Sequence, residues 1–216
     1  MSLATDGLID RLGADLRPVR RLLPPLFRAG LWLGVVAAIA ALLAGVAKLG
    51  SIEQRLAAQP DMWLAVLGAV TTMLLAAIAT FQLSMPDRSA GWALLPLPGV
   101  ALWIGASGLG CLRQWLFSET HPATLRDSGD CFGFIIGMSI PLTAVTVVML
   151  RRGCTLHPNL TAATAGLAIA AAAATLLTFF HPYDASLVDL LVHALAVAIV
   201  IAANRALSGW LLAPSF

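Results

Sequence analysis

Two groups of residues in this chain have types and spacings that could support chemistry. Cys111 closes one apolar run and Cys131 opens the next. Two thiols so placed suit a disulfide if their Cα atoms come within about 4.4–6.8 Å, or a soft divalent metal ion, while each cysteine alone reads as a small buried hydrophobe. Cys154 reads as structural. The second group lies in "HPYDASLVDLLVH", where His181 and Asp184 fall in a short connection, and Asp189 and His193 stand one helical turn apart on a shared face. A carboxylate at membrane depth is costly and is expected to point into a bundle, paired or protonated. His193 is its natural partner, and protonation of that imidazole would make the pair sensitive to pH. Either the pair locks two helices by a hydrogen bond, or it joins the cysteines in a thiolate and imidazole metal site, although the spacing has no zinc-finger regularity.

Stepping outward from these residues, the chain that must position them is overwhelmingly apolar. Hydrophobic residues make up 59% of 216 and charged residues 11%, with a mean hydropathy of +0.88. That balance excludes a soluble globular domain. Crossing about 30 Å of hydrocarbon takes roughly 20 helical residues, and six runs qualify: 29–47, 62–83, 92–112, 131–150, 160–180 and 186–203. Lipid offers the backbone no hydrogen-bond partner, so these runs are expected to be helices. The expected fold is an all-α, six-transmembrane-helix bundle preceded by a short amphipathic helix. Pro96, Pro98 and Pro141 are expected to kink their spans, and Gly133 and Gly137, four residues apart, to serve close helix packing. Nine of the 13 Lys and Arg residues fall on the side of the N-terminus, which places both termini in the cytoplasm. A net charge of +2 and the absence of a basic run with interleaved aromatics give no footprint for nucleic acid.

Ahead of the first run stands "LIDRLGADLRPVRRLLPP". Leu8 or Ile9, Leu12, Leu16 and Val19 recur at three- and four-residue steps and form one narrow apolar stripe. Asp6 and Asp10 precede Arg17, Arg20 and Arg21, the charge order a helix dipole favours, and Thr5 is a cap candidate. A secretory signal would place its positive charges first, so the segment is expected to remain on the mature protein. It suits either the anionic surface of a bilayer or a groove on a partner protein.

Taken together, the N-terminal stretch, "LGCLRQW" at the end of the third run, a cysteine opening the fourth, "RRG" after it and "FHPYDASL" before the sixth resemble the NrsF family. The likeness covers essentially the whole chain. It implies a six-span bacterial inner-membrane anti-sigma factor that sequesters an extracytoplasmic-function sigma factor and releases it under stress. By this resemblance residues 1–28 form the sigma-binding segment, 29–204 the sensor bundle and 205–216 a cytoplasmic tail. The binding role then falls on Leu8, Ile9, Leu12, Leu16 and Val19 as anchors, with Arg11, Arg17, Arg20 and Arg21 facing acidic patches. The family also associates a cysteine pair in this region with heavy-metal or oxidative stress. Cys111 and Cys131 are thus the expected sensing residues, with a divalent or heavy metal as the sensed ion and no cofactor required.

Two other classes compete. "GASG" at residues 105–108 matches the serine motif of rhomboid intramembrane proteases, with His193 on a later span. Ser107, however, is on the third run where that family uses the fourth, and His193 lacks the glycine-rich continuation. A small transporter or channel would need polar groups spaced along a path, or broken helices at matching positions of two halves. Neither pattern stands out. Phosphate loops, dinucleotide fingerprints and HExxH motifs are absent from the sequence.

Overall fold

A computed structural model of the chain describes residues 22–47, 60–117, 125–151, 153, 155–180 and 187–207, together with Gly7, Asp10, Arg11, Gly13, Ala14 and Gly50. The architecture is all-α. Its helices are α1 (Pro25–Ala44), α2 (Pro60–Leu83), α3 (Leu97–Phe117), α4 (Leu125–Leu150), α5 (Pro158–Leu177) and α6 (Leu187–Ala206), and a 3₁₀ turn at Ala90–Leu94 leads into α3. Among the described residues, five stretches are long and apolar enough to cross a bilayer: Pro25–Ala44, Met62–Leu83, Ala90–Arg113, Gly129–Leu150 and Pro158–Leu177. Among the same residues, the apolar part of α6, Leu190–Ala206, is shorter. Where six full-length spans are expected, the described residues show six helices, five of them with long apolar stretches and the last with a shorter one.

Helix α5 stands at the centre, against α2, α4 and α6, while α3 leans chiefly on α2 and α1 packs on the α2 side. The composition explains the arrangement. In α5 the run "AIAAAAA", residues 168–174, carries little bulk, so neighbours approach from several sides and 78% of its apolar window is buried, against 22% for α1. A Cβ on Gly166 would lie 2.8 Å from Ile201 Cα, and one on Gly68 would lie 2.5 Å from Trp103 N, so these two glycines let α5 meet α6 and α2 meet α3. Gly133 and Gly137 do not have the packing role expected of them: both are exposed, and a Cβ on either would meet nothing within 4 Å. Four-residue spacing puts two glycines on one face but does not choose which face meets a neighbour.

The prolines also fall differently from expectation. Pro96 lies buried in the turn between the 3₁₀ segment and α3, and Pro98 is in the first turn of α3, where a missing N–H breaks no helical bond. The third apolar run is therefore divided at its start rather than kinked in its interior. Pro141 alone of the three lies inside a helix, and α4 continues through it.

Candidate functional site

The densest polar structure in the bundle lies where α1 begins. Pro24 caps α1 and Pro25 occupies its first position, a pre-set φ at the one place where a helix loses nothing by lacking a donor. Arg28 then accepts its place in the first turn through its backbone bond to Pro24 O at 3.1 Å. The first apolar run begins at Ala29, but the helix starts four residues earlier and buries Arg28 to 4% exposure. Its Nη1 donates to Ser84 Oγ at 3.1 Å, its Nη2 to the carbonyl of Met149, and its guanidinium sits 5.1 Å from the centroid of the Phe81 ring. Arg28 thus ties the start of α1 to the ends of α2 and α4.

Ser84 is the meeting point. Its hydroxyl donates to Phe81 O at 2.7 Å while accepting from Arg28, and a Cβ on Gly153 would lie 3.0 Å from its carbonyl oxygen, so the connection from α4 to α5 closes directly onto it. One residue earlier, Leu83 O accepts from Thr155 Oγ1 at 2.9 Å and Thr161 Oγ1 at 3.3 Å. The two threonine hydroxyls lie 2.9 Å apart, and Thr155 Oγ1 also receives the backbone N–H of His157 at 3.2 Å. The result joins α1, α2, α4 and α5 at one end through hydrogen bonds rather than through apolar contact alone. Among the described residues every partner of Arg28 is neutral, and the ion pair seen, Arg88 with Asp87 at 3.7 Å, is an exposed neighbour pair.

Deeper in the bundle, polar side chains serve packing. Trp32 Nε1 donates to Thr146 Oγ1 at 2.8 Å and Thr80 Oγ1 approaches Thr164 Oγ1 at 3.1 Å, linking α1 to α4 and α2 to α5. Thr72, Thr80, Ser139 and Thr146 return their hydroxyl hydrogens to carbonyls one turn back. The gap among Trp32, Thr80, Phe81 and Thr146 is too narrow for a water molecule.

The residues singled out in the sequence are distributed as follows. Leu8, Ile9, Leu12, Leu16, Val19, Arg17, Arg20 and Arg21 lie outside the described residues, and Gly7, Asp10, Arg11, Gly13 and Ala14 are helical and exposed. Cys111 is half-buried near the end of α3; Cys131 is buried in α4, packed with Ile135, Ala173, Leu177 and Ala196 from α4, α5 and α6. Neither is in a disulfide. Although α3 and α4 are consecutive, they are not a packed pair, because α4 spends its contacts on α5 and α6. His181, Asp184 and Cys154 fall outside the described residues; Asp189 belongs to α6, with its side chain likewise outside them, and His193 is half-buried on the same helix. Among the described residues no group of three or more His, Cys, Asp or Glu gathers as a metal site. Sequence reasoning missed the Arg28 junction. The available signal was an arginine three residues past a Pro-Pro pair at the mouth of an apolar run.

Several long apolar helices, packed around one another and fastened by polar bonds at one end, define a multi-pass helical membrane protein. The chain belongs to the NrsF family, negative regulator of sigma F, whose family model matches residues 12–213. This is an anti-sigma factor family, regulatory rather than enzymatic, which sets aside the rhomboid reading of Ser107 and His193. No match is found among curated proteins or among solved structures.

Proposed function

We propose that this protein is a bacterial inner-membrane anti-sigma factor that holds an extracytoplasmic-function sigma factor at its N-terminal segment, with both termini in the cytoplasm, and releases it under redox or heavy-metal stress felt at the other face. The observation that carries the reading is the family match over nearly the whole chain, 12–213, which includes most of the apolar stripe. The distribution of positive charge supports the orientation. In this arrangement Leu12 and Leu16 fill pockets on the sigma factor while Arg11, Arg17, Arg20 and Arg21 steer and select it. Helix α6, with 20 residues, is long enough to make the sixth crossing.

The thiols Cys111 and Cys131 are the sensing groups in this reading. Cys131 is the better connected, since it is seated among three helices and its own helix α4 ends at the Arg28 junction. Modification of that thiol would have to favour one packing of the bundle over another in order to act on the partner.

The test is a pull-down from the native host in mild detergent, comparing the full chain with one lacking residues 2–22, with captured proteins identified by mass spectrometry. A sigma factor retained by the full chain and lost from the shortened one is the expected result. Failure of the full chain to retain any sigma factor would overturn the reading.

A further inference from the structure

We infer that Arg28 is a positioning residue for partner binding: its fork fixes the base of the N-terminal segment against the ends of α2 and α4, and so sets how that segment is presented. The inference deepens the anti-sigma reading and rests on it for its functional consequence. A guanidinium at 4% exposure near the edge of an apolar bundle is costly to desolvate, yet a neutral packing residue could fill the same place. What the arginine adds is geometry. Its planar head has donors in fixed directions, and here they reach two different helices, Ser84 Oγ at the end of α2 and Met149 O at the end of α4. Phe81 covers the guanidinium at 5.1 Å. A lysine ammonium carries the same charge but not this fork.

The placement makes the contact consequential. Arg28 lies four residues after Pro24, where the N-terminal segment joins the bundle, so any shift of the fork is a shift in the origin of the segment. Ser84 is simultaneously held by the α4–α5 connection at Gly153. Met149 is 18 positions after Cys131 on one continuous helix, about 27 Å along its axis at 1.5 Å per residue. One helix therefore runs from a buried thiol at one end to the acceptor of Arg28 at the other. Because all partners of Arg28 among the described residues are neutral, the fork is held by hydrogen bonds that a small displacement of α4 would lengthen, with no ion pair to resist it.

The experiment uses the full chain in detergent, as wild type and as Arg28→Gln, Arg28→Lys, Ser84→Ala and Trp32→Phe. Three quantities are read: affinity for the sigma factor recovered in the pull-down, the rate of trypsin cleavage after Arg20 and Arg21, and the unfolding midpoint. Trp32→Phe breaks a different bond of the same helix, that to Thr146, and so reports what general loosening of α1 does. Arg28→Gln, Arg28→Lys and Ser84→Ala are each expected to change cleavage and weaken binding about tenfold, beyond any effect of Trp32→Phe at a matched fall in midpoint. A lysine variant that behaves as wild type would show that charge alone matters and would overturn the inference. So would variants at Arg28 and Ser84 that follow the Trp32→Phe relation between midpoint and binding. If the arginine variants do not fold, Ser84→Ala decides by the same criteria. Should the wild-type chain bind no sigma factor, the functional reading falls by itself, and cleavage still decides whether Arg28 governs the segment.

Discussion

Gly68 and Gly99 stand where α2 and α3 come closest. A methyl group on Gly68 would press on the backbone of Trp103, and one on Gly99 would lie 2.7 Å from Thr72 N. Backbone cannot turn aside as a side chain can, so the helices would have to separate. Gly68→Ala is expected to lower stability by about 1–3 kcal/mol, the usual cost of overpacking, measured by thermal unfolding in detergent. Gly133→Ala, with open space around its Cβ, should instead gain up to about 1 kcal/mol from the better helix propensity of alanine. An equal loss at both positions would contradict the packing described. At this scale the sequence was a partial guide. It exposed the GxxxG spacing of Gly133 and Gly137, but the glycines that permit contact are separated in the chain from the residues they meet. Arg28 was similarly hidden, because a charge beside an apolar run reads as a loop residue until the fold supplies Ser84 and Met149 from far along the chain.

Among the elements, the helices themselves were legible. The expected runs at 62–83 and 131–150 coincide with the apolar stretches Met62–Leu83 and Gly129–Leu150 to within two residues, because lipid leaves the backbone one solution and length sets the rest. Boundaries near proline were less so. Pro25 lies ahead of the first apolar run yet starts α1, whereas Pro96 and Pro98 divide the third run into a 3₁₀ turn and α3. In the proposed function the apolar stripe ahead of α1 supplies the anchors for the partner. Leu12→Asp and Leu16→Asp, each placing a carboxylate where the stripe requires an apolar anchor, are expected to weaken sigma-factor capture at least tenfold, as losing a central anchor does, with the amount of protein in the membrane fraction unchanged. Normal capture by both variants would remove the segment from the mechanism.

For the whole molecule, the question is how many times and in which sense the chain crosses. Alkaline phosphatase, which folds to an active form only outside the cytoplasm, should be active when fused within residues 118–124 and inactive when fused after residue 216. Activity at the second site would mean that α6 does not complete a crossing. The pairing of helices was the least legible level. Neighbours in sequence are good candidates for neighbours in space, and α5 with α6 obeys that rule, but α3 and α4 do not: α5, later in the chain, supplies α4 with a better surface. Cys111, on α3, is half-buried, while Cys131 is buried among α4, α5 and α6.

The central position of α5 bears on how the protein is made. Its apolar window is 78% buried, yet it follows α2 and α4 in the chain, so these two enter the bilayer before the helix they pack against exists. Until then the α2 face bearing Thr80, and the α4 face that will meet α5, look onto lipid or onto a translocation partner. A polypeptide halted before residue 158 would carry those faces permanently uncovered, which makes it a natural substrate for membrane quality-control proteases. The centre of the bundle is therefore filled late, by a helix that enters a place its predecessors have left open.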